Sequence, residues 1–406
     1  MRFPAPVKPL GLIEFIALMA MMFAILAFSI DSMLPALPRI GAELSPHDLN
    51  RAQLVVGAFV LGMGAGQLFM GPASDSFGRR PVVLVGMAIY VLAGWAALGA
   101  DSLTALLLWR FAQGFGGSAP RTVGVAITRD LYSGRMMARV SSFTFMVFVM
   151  VPAVAPYVGQ LVINAWDWRS MFTVYMVVGV VMGCWFLSRQ PETLSSEARK
   201  PFTVARFARG VHEVFSIRRV VIHIGVLTLG FGLLMAYIST AQPIFVDALG
   251  AGEDFPLFFA AMTVIASPAS LLNARLVMRM GMSRLVSITY ALQAVLASIL
   301  FLVWWAGLVP DAWAIWVYFA WSCSVFMMNG FNFGNLNALA MEPLGHVAGT
   351  GSALIGAVST MLAVVLAVPI GLAFNGTPLP MIGGAAVLSL LAWLGMKLAG
   401  PDVPLD

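Results

Sequence analysis

Long apolar runs broken by short polar segments make up almost the whole chain. Apolar stretches of 18 residues or more recur from one end to the other. Such a run, wound as a helix at about 1.5 Å per residue, crosses the roughly 30 Å hydrocarbon layer of a membrane. The two-residue alternation of a membrane β-strand is absent, so the runs read as helices, in which a backbone satisfies its own polar groups in lipid. Twelve spans are expected, at 11–38, 49–73, 81–100, 103–128, 137–163, 169–188, 218–243, 254–278, 283–306, 311–337, 347–374 and 379–398. One long polar connection, Ser188 to Ile217, divides them six and six. The pattern predicts an all-α membrane protein with twelve transmembrane helices in two six-helix halves. Residues 1–188 form the first half and 218–406 the second, with a cytosolic linker at 189–217. A short amphipathic helix is expected in that linker, around Val204 to Phe215.

Composition agrees, and charge supplies the topology. The 406 residues are 60% hydrophobic and only 10% charged, against about 25% charged in soluble domains. The net charge of +5 does not point to nucleic acid, because the basic residues follow the loops. Arg2, Lys8, Arg79, Arg80, Arg129, Arg189, Arg218, Arg219, Arg279 and Arg284 fall on one side of the expected spans, and Asp48, Asp101, Asp167, Glu253 and Asp311 on the other, where Arg39, Arg51 and Arg169 are the only arginines and no lysine occurs. The excess of Lys and Arg marks the cytosolic side, which places both termini there. The first apolar run lacks a small-residue cleavage site and reads as a span, not a signal peptide. Cys184 and Cys323 both lie inside apolar runs, the four histidines are scattered, and no Gly-x-x-x-x-Gly-Lys loop occurs. No metal, cofactor, disulfide or enzymatic chemistry is expected.

Charge inside the apolar runs is the candidate chemistry. In the fourth expected span Arg110 lies about eight residues in, or about 12 Å deep. A charge at that depth is costly unless it faces protein or water. Gln113, Gly114, Gly117 and Arg121 follow it at helical spacing on one side, which suggests a pathway-lining stripe. The alternative is an arginine whose stem lies in lipid and whose head reaches the headgroups. Asp31, in the first span, lies at a similar depth from the same surface and is placed to pair with Arg110. If the first helix instead ends at Pro35, Asp31 is an interfacial carboxylate, and Glu14 is a second carboxylate at the cytosolic end. In the fifth span Pro152 and Pro156, one turn apart, remove successive backbone bonds from one face, which Gly159 continues. The second half offers Tyr237, Gln242, Phe331 and Asn332, aromatic and amide groups suited to a wall for an apolar, hydrogen-bonding ligand.

The loop between the second and third spans contains Gly71, Asp75, Gly78, Arg79 and Arg80, and Gly281 recurs in the corresponding loop of the second half. The segment GPASDSFGRRP resembles the loop signature of the major facilitator superfamily, with Ala73 and Ser76 departing from its usual form. Arg110-Phe-Ala-Gln-Gly114 resembles that family's fourth-helix element, and Pro156 with Gly159 resembles its antiporter motif in the fifth helix. Ile30-Asp31-Ser-Met-Leu-Pro-Ala-Leu-Pro38, Arg129-Asp130-Leu131-Tyr132, Trp168-Arg169 and Arg189-Gln-Pro-Glu-Thr193 resemble the Bcr/CflA branch of drug:proton antiporters. The resemblance implies a proton-coupled transporter, a monomer in the bacterial inner membrane with protons, membrane lipid and a small drug-like substrate as partners. It associates Arg110 with proton coupling, and Asp31 joins it by its similar depth. Gating is expected of Gly71, Asp75, Gly78, Arg79, Arg80, Pro152, Pro156 and Gly159, and the side-chain pattern itself, not the resemblance, suggests a substrate cavity at Gln113, Gly114, Gly117, Arg121, Tyr237, Gln242, Phe331 and Asn332. Uptake by proton symport, and a receptor or scaffold that does not transport, stand as alternatives.

Overall fold

The computed structural model describes residues 10–199 and 203–400. Arg2 and Lys8 of the N-terminal segment lie outside the described residues. Among those described, the regular elements are helices: α1 (Leu12–Asp31), α2 (Leu37–Leu44), α3 (Leu54–Phe77), α4 (Arg79–Leu98), α5 (Leu103–Leu131), α6 (Gly134–Ala165), α7 (Ser170–Arg189), α8 (Val204–Ser216), α9 (Arg218–Pro243), α10 (Phe255–Ala266), α11 (Pro268–Met280), α12 (Met282–Trp305), α13 (Asp311–Met341), α14 (Ala348–Leu372) and α15 (Leu379–Ala399). Ten helical stretches among the described residues are long and apolar enough to cross a membrane, as in a multi-pass membrane protein. Helices α5 and α6 are not among the ten. Three arginines and four glycines dilute the apolar content of α5, and Met150–Ala165 of α6 is apolar but shorter than the ten. The amphipathic linker helix is present as α8.

Contacts divide the chain into two compact units, Met1–Pro46 with Ala58–Ala208, and His47–Gly57 with Arg209–Asp406. In the first unit α4 packs on α5 and α7, and α1 on α5, α6 and α7. The expected first span, 11–38, is not one helix. Helix α1 stops at Asp31, a 3-10 turn follows at Leu34–Ala36, and α2 resumes at Leu37. Pro35 is the cause, because it has no N–H to give the carbonyl four residues back, that of Asp31. The last turn of α1 is therefore left with carbonyl oxygens that need donors from elsewhere. The break is buried, with Met33, Leu34 and Ala36 fully enclosed. Pro152 and Pro156, by contrast, both sit inside one continuous helix, α6.

Glycine decides how closely the helices of this unit approach. A Cβ added at Gly114 would overlap the carbonyl oxygen of Phe59 on α3, and one at Gly116 the carbonyl of Gly86 on α4. A Cβ at Gly159 on α6 would overlap the carbonyl of Ser32. Backbone thus meets backbone at three seams, the usual use of small residues in membrane helices.

In the second unit α9 packs on α13, α14 and α15, and α12 packs on α13 and α15. The opening of α3 belongs here too. Asn50 donates to the carbonyls of Leu372 (3.2 Å) and Phe374 (2.7 Å) at the end of α14. The loops before α4 and α12 share one conformation. Gly78 has φ 102° and ψ 156°, and Gly281 has φ 78° and ψ 159°, each immediately before its helix. This left-handed backbone favours glycine and gives the sequence echo between the two loops a physical basis.

Gly114→Ala tests the α3–α5 seam. Its Cβ meets backbone that cannot swing aside, so the variant should lose about 1–3 kcal/mol, seen as a lower melting temperature in detergent. Gly225→Ala, where nothing lies within 4 Å, should melt as the wild type.

Candidate functional site

Arg110 is the largest fully buried side chain of the first unit, with no exposed surface. Its Nη2 donates to the carbonyl of Ser29 at 2.9 Å and its Nη1 to Gln113 Oε1 at 2.8 Å. The Ser29 carbonyl belongs to the last turn of α1, the turn that the Pro35 break deprives of partners. Arg110 on α5 therefore caps the C-terminus of α1, where the helix dipole also favours a cation. Aromatic faces complete the enclosure. The guanidinium carbon lies 4.4 Å from the centre of the Phe59 ring and 5.8 Å from that of Tyr175, within cation–π range.

Two tyrosines fasten the same turn of α1 to its neighbours. Tyr90 of α4 and Ser29 share a hydrogen bond of 2.6 Å, and Tyr175 of α7 and Ser32 share one of 2.9 Å. Asp31 sits between the two serines and is 3% exposed. The expected Asp31–Arg110 ion pair is not formed. Ion pairs among the described residues join Arg79 to Asp75 and Asp130, Arg169 to Glu43 and Arg189 to Glu14, and Asp31 is in none of them. Carbonyl and amide oxygens occupy the Arg110 donors instead. Glu14 is held differently, taking Nε and Nη2 of Arg189 on its two oxygens, each at 2.7 Å.

The other sequence-derived residues separate into distinct environments. Gly117 faces Leu26 and Tyr90, so with Gly114 it lies at helix seams. Gln113 is buried, and its Nε2 is 3.2 Å from where a Cβ at Gly94 would stand. Arg121 is half-buried farther along α5. In the second unit Tyr237 is fully buried, and its hydroxyl lies 3.1 Å from Met262 Sδ. Gln242 is buried and Phe331 half-buried. Asn332 accepts the Thr289 hydroxyl at 2.5 Å.

The loop before α4 makes a dense polar cluster within the first unit. Arg79, nearly buried, donates to Asp75 Oδ1 (2.5 Å), Ser74 Oγ (2.8 Å) and Asp130 Oδ2 (2.9 Å). Glu192, from the start of the linker, accepts the backbone N–H groups of Arg79 (2.9 Å) and Arg80 (3.0 Å). A carboxylate thus caps the N-terminus of α4, the end that favours negative charge. Gly78 must stay bare for this, because a Cβ there would stand 2.6 Å from Glu192 Oε2. The sequence points to Asp75, Gly78, Arg79 and Arg80 as site residues, and not to Asp130, Glu192, Ser29, Tyr90 or Tyr175. Isolated tyrosines in apolar runs were the available signal, since a buried phenol needs a hydrogen-bond partner.

Comparison with known proteins extends this picture. A family model described as Major Facilitator Superfamily matches residues 17–368. The chain is 29% identical over 376 residues to the Bicyclomycin resistance protein homolog of Haemophilus influenzae, covering 90% of this chain and 92% of that one. It is 27% identical over 381 residues to Multidrug resistance protein D of Escherichia coli, covering 92% and 90%. In fold it is similar to the crystal structure of a D-xylose–proton symporter, with a TM-score of 0.76 at 15% identity, covering 96% of this chain and 98% of that one.

Replacing Glu192 by Gln keeps the shape and removes the charge that caps α4. The expected result is slower transport at unchanged substrate affinity, measured as turnover and binding on the same preparation. Lost binding at normal turnover would contradict a gating role for this cluster.

Proposed function

Because the chain belongs to the Major Facilitator Superfamily, we propose that it is a proton-coupled exporter of small, largely apolar drug-like compounds. Helices α5 and α6 complete a set of twelve crossings, arranged as two six-helix halves in the bacterial inner membrane with both termini cytosolic. The observation that carries the reading is the Arg110 site: a fully buried cation, held by the end of a broken helix that also carries the buried carboxyl group of Asp31, which is in no ion pair among the described residues. A scaffold gains nothing from desolvating these groups, whereas intramembrane ionisable residues mark substrate and proton pathways. The relatives named for bicyclomycin and multidrug resistance support export over uptake.

The roles divide by chemistry. A guanidinium stays protonated at any physiological pH, so Arg110 cannot carry the coupled proton and serves instead to hold the end of α1. A carboxyl group can take up and release a proton, and Asp31 sits on the segment that Arg110 holds. Glu14 is committed to Arg189 at the end of its helix. Movement of α1 against α5 changes the surroundings of Asp31, and so couples its protonation to the transport cycle. Tyr237, Gln242, Phe331 and Asn332 contribute substrate contacts from the second unit, and Arg121 from the first. Protons and the substrate are the partners of a protein that works as a monomer.

Substitutions at two positions test these roles. Arg110→Ala removes the cap of α1 and should abolish resistance and efflux while the protein still inserts. Arg110→Lys should rescue poorly, because an ammonium lacks the guanidinium's planar fork. Wild-type efflux by a well-expressed Arg110→Ala protein would end the assignment. Asp31→Asn keeps the shape and removes the titration. It should still exchange drug for drug across a membrane, yet lose pH-driven accumulation in inverted vesicles with an acid interior. Accumulation equal to wild type would transfer the proton to another group, and release of drug under the same gradient would mean symport.

A further inference from the structure

The second unit contains a cluster of aromatic side chains in which buried hydrogen-bond donors lack acceptors. Tyr318 and Trp321 of α13 lie with ring centres 5.4 Å apart. Tyr237 of α9 stacks nearly parallel to Tyr318, with 12° between the planes and 6.3 Å between centres, and lies 6.3 Å from Trp321. Phe245, on the turn after α9, meets Tyr318 edge-on at 5.3 Å. Tyr318 is fully buried and Trp321 is 6% exposed. Among the described residues, nothing pairs with the Tyr318 hydroxyl or the Trp321 indole N–H. Gln293 of α12 adds a third donor. Its Oε1 takes the Ser324 hydroxyl at 3.1 Å, and the same hydroxyl lies 2.6 Å from the Trp321 carbonyl. Its Nε2 has no partner among the described residues.

An unpaired buried donor costs about 1–3 kcal/mol, and buried Tyr and Trp ordinarily find partners. Packing alone would be served by Phe at 318 and 321, which would keep aromatic contacts there without that cost. The groups are also chemically one-sided, since an indole N–H and an amide NH2 can only donate. The chain between Arg219 and Asp247, between Arg284 and Asp311, and between Asp311 and Glu342 carries no Asp, Glu, Lys or Arg, so the surroundings offer no counter-charge to an ion. A guest that suits them is flat, aromatic and uncharged, and brings its own acceptor oxygens.

We propose that Tyr237, Gln293, Tyr318 and Trp321 form a recognition site within the second unit for neutral planar aromatic molecules that carry carbonyl or ether oxygens. Rings give general affinity for aromatic surface, and the unpaired donors select guests with acceptors. A site built to hydrogen-bond its ligand discriminates against an analogue lacking the polar group, because the site's own groups then stay unpaired. This inference rests on the transporter reading for its purpose, but binding tests it separately.

The test uses the full-length purified protein and two uncharged probes of similar size, 7-methoxycoumarin, which has acceptor oxygens, and naphthalene, which has none. Binding is measured at equilibrium and corrected for partition into detergent. The wild type should prefer the coumarin by about tenfold, the equivalent of roughly 1.4 kcal/mol. Trp321→Phe and Tyr318→Phe should each reduce that preference several-fold while leaving naphthalene affinity within about twofold, which shows the fold intact. Arg110→Ala should keep the full preference although it no longer transports, so loss of the transporter reading and loss of this site give different results. A wild type that binds both probes equally, or neither, overturns the site. So does an undiminished coumarin preference when both Trp321→Phe and Tyr318→Phe are present.

Discussion

The organising constraint in the first unit is the cost of enclosing a guanidinium in an apolar interior. Five N–H donors that water would satisfy must find acceptors inside the protein, and most helix carbonyls are already used. The chain meets this by breaking a helix. Pro35 stops α1 at Asp31, and the carbonyls of its last turn become acceptors where Arg110 needs them. Neither feature is stable without the other, since a buried helix end with no donors and a buried cation with no acceptors are each unfavourable. Tyr90, Tyr175 and the bare backbone of Gly159 then hold that turn from three other helices.

The cluster at the start of α4 solves a related problem with charges of both signs. Arg79 is buried but has two carboxylates and a hydroxyl, and the start of α4 has Glu192. Gly78 makes this possible twice over, by its left-handed backbone and by the absence of a side chain where Glu192 sits. A single residue therefore links loop geometry, helix capping and the start of the linker.

Helix type and the amphipathic linker helix were readable from hydropathy, because membrane spans are the strongest periodic signal a sequence can carry. The buried Arg110 was also readable, since a charge at depth in an apolar run has few places to go. Its partner was not. Charge complementarity pointed to Asp31, and the structure gives Ser29 and Gln113 instead. The reason is that a backbone carbonyl carries no sequence identity. Only the effect of Pro35 on the preceding turn could have revealed it. Pro35 likewise explains why the expected 11–38 span is two helices and a 3-10 turn. Glu192 and Asp130 were missed as partners of Arg79 because they come from 113 and 51 positions away, distances at which spacing is silent.

The chemistry of the two units is unequal. Within the first, buried charge is bound to backbone and to aromatic faces around a helix break. Within the second, the apolar runs of α9, α12 and α13 hold phenols, indoles and amides without ionic groups. An ion cannot easily be moved from water into such surroundings, whereas a neutral aromatic molecule can, gaining contact area and recovering unpaired donors. Coupling a proton to such a cargo does not require the two to meet. With the proton proposed for Asp31, it requires that the segment carrying Asp31 adopt different positions in the states that hold and release the cargo, and that segment is a helix end fastened by Arg110, Tyr90 and Tyr175.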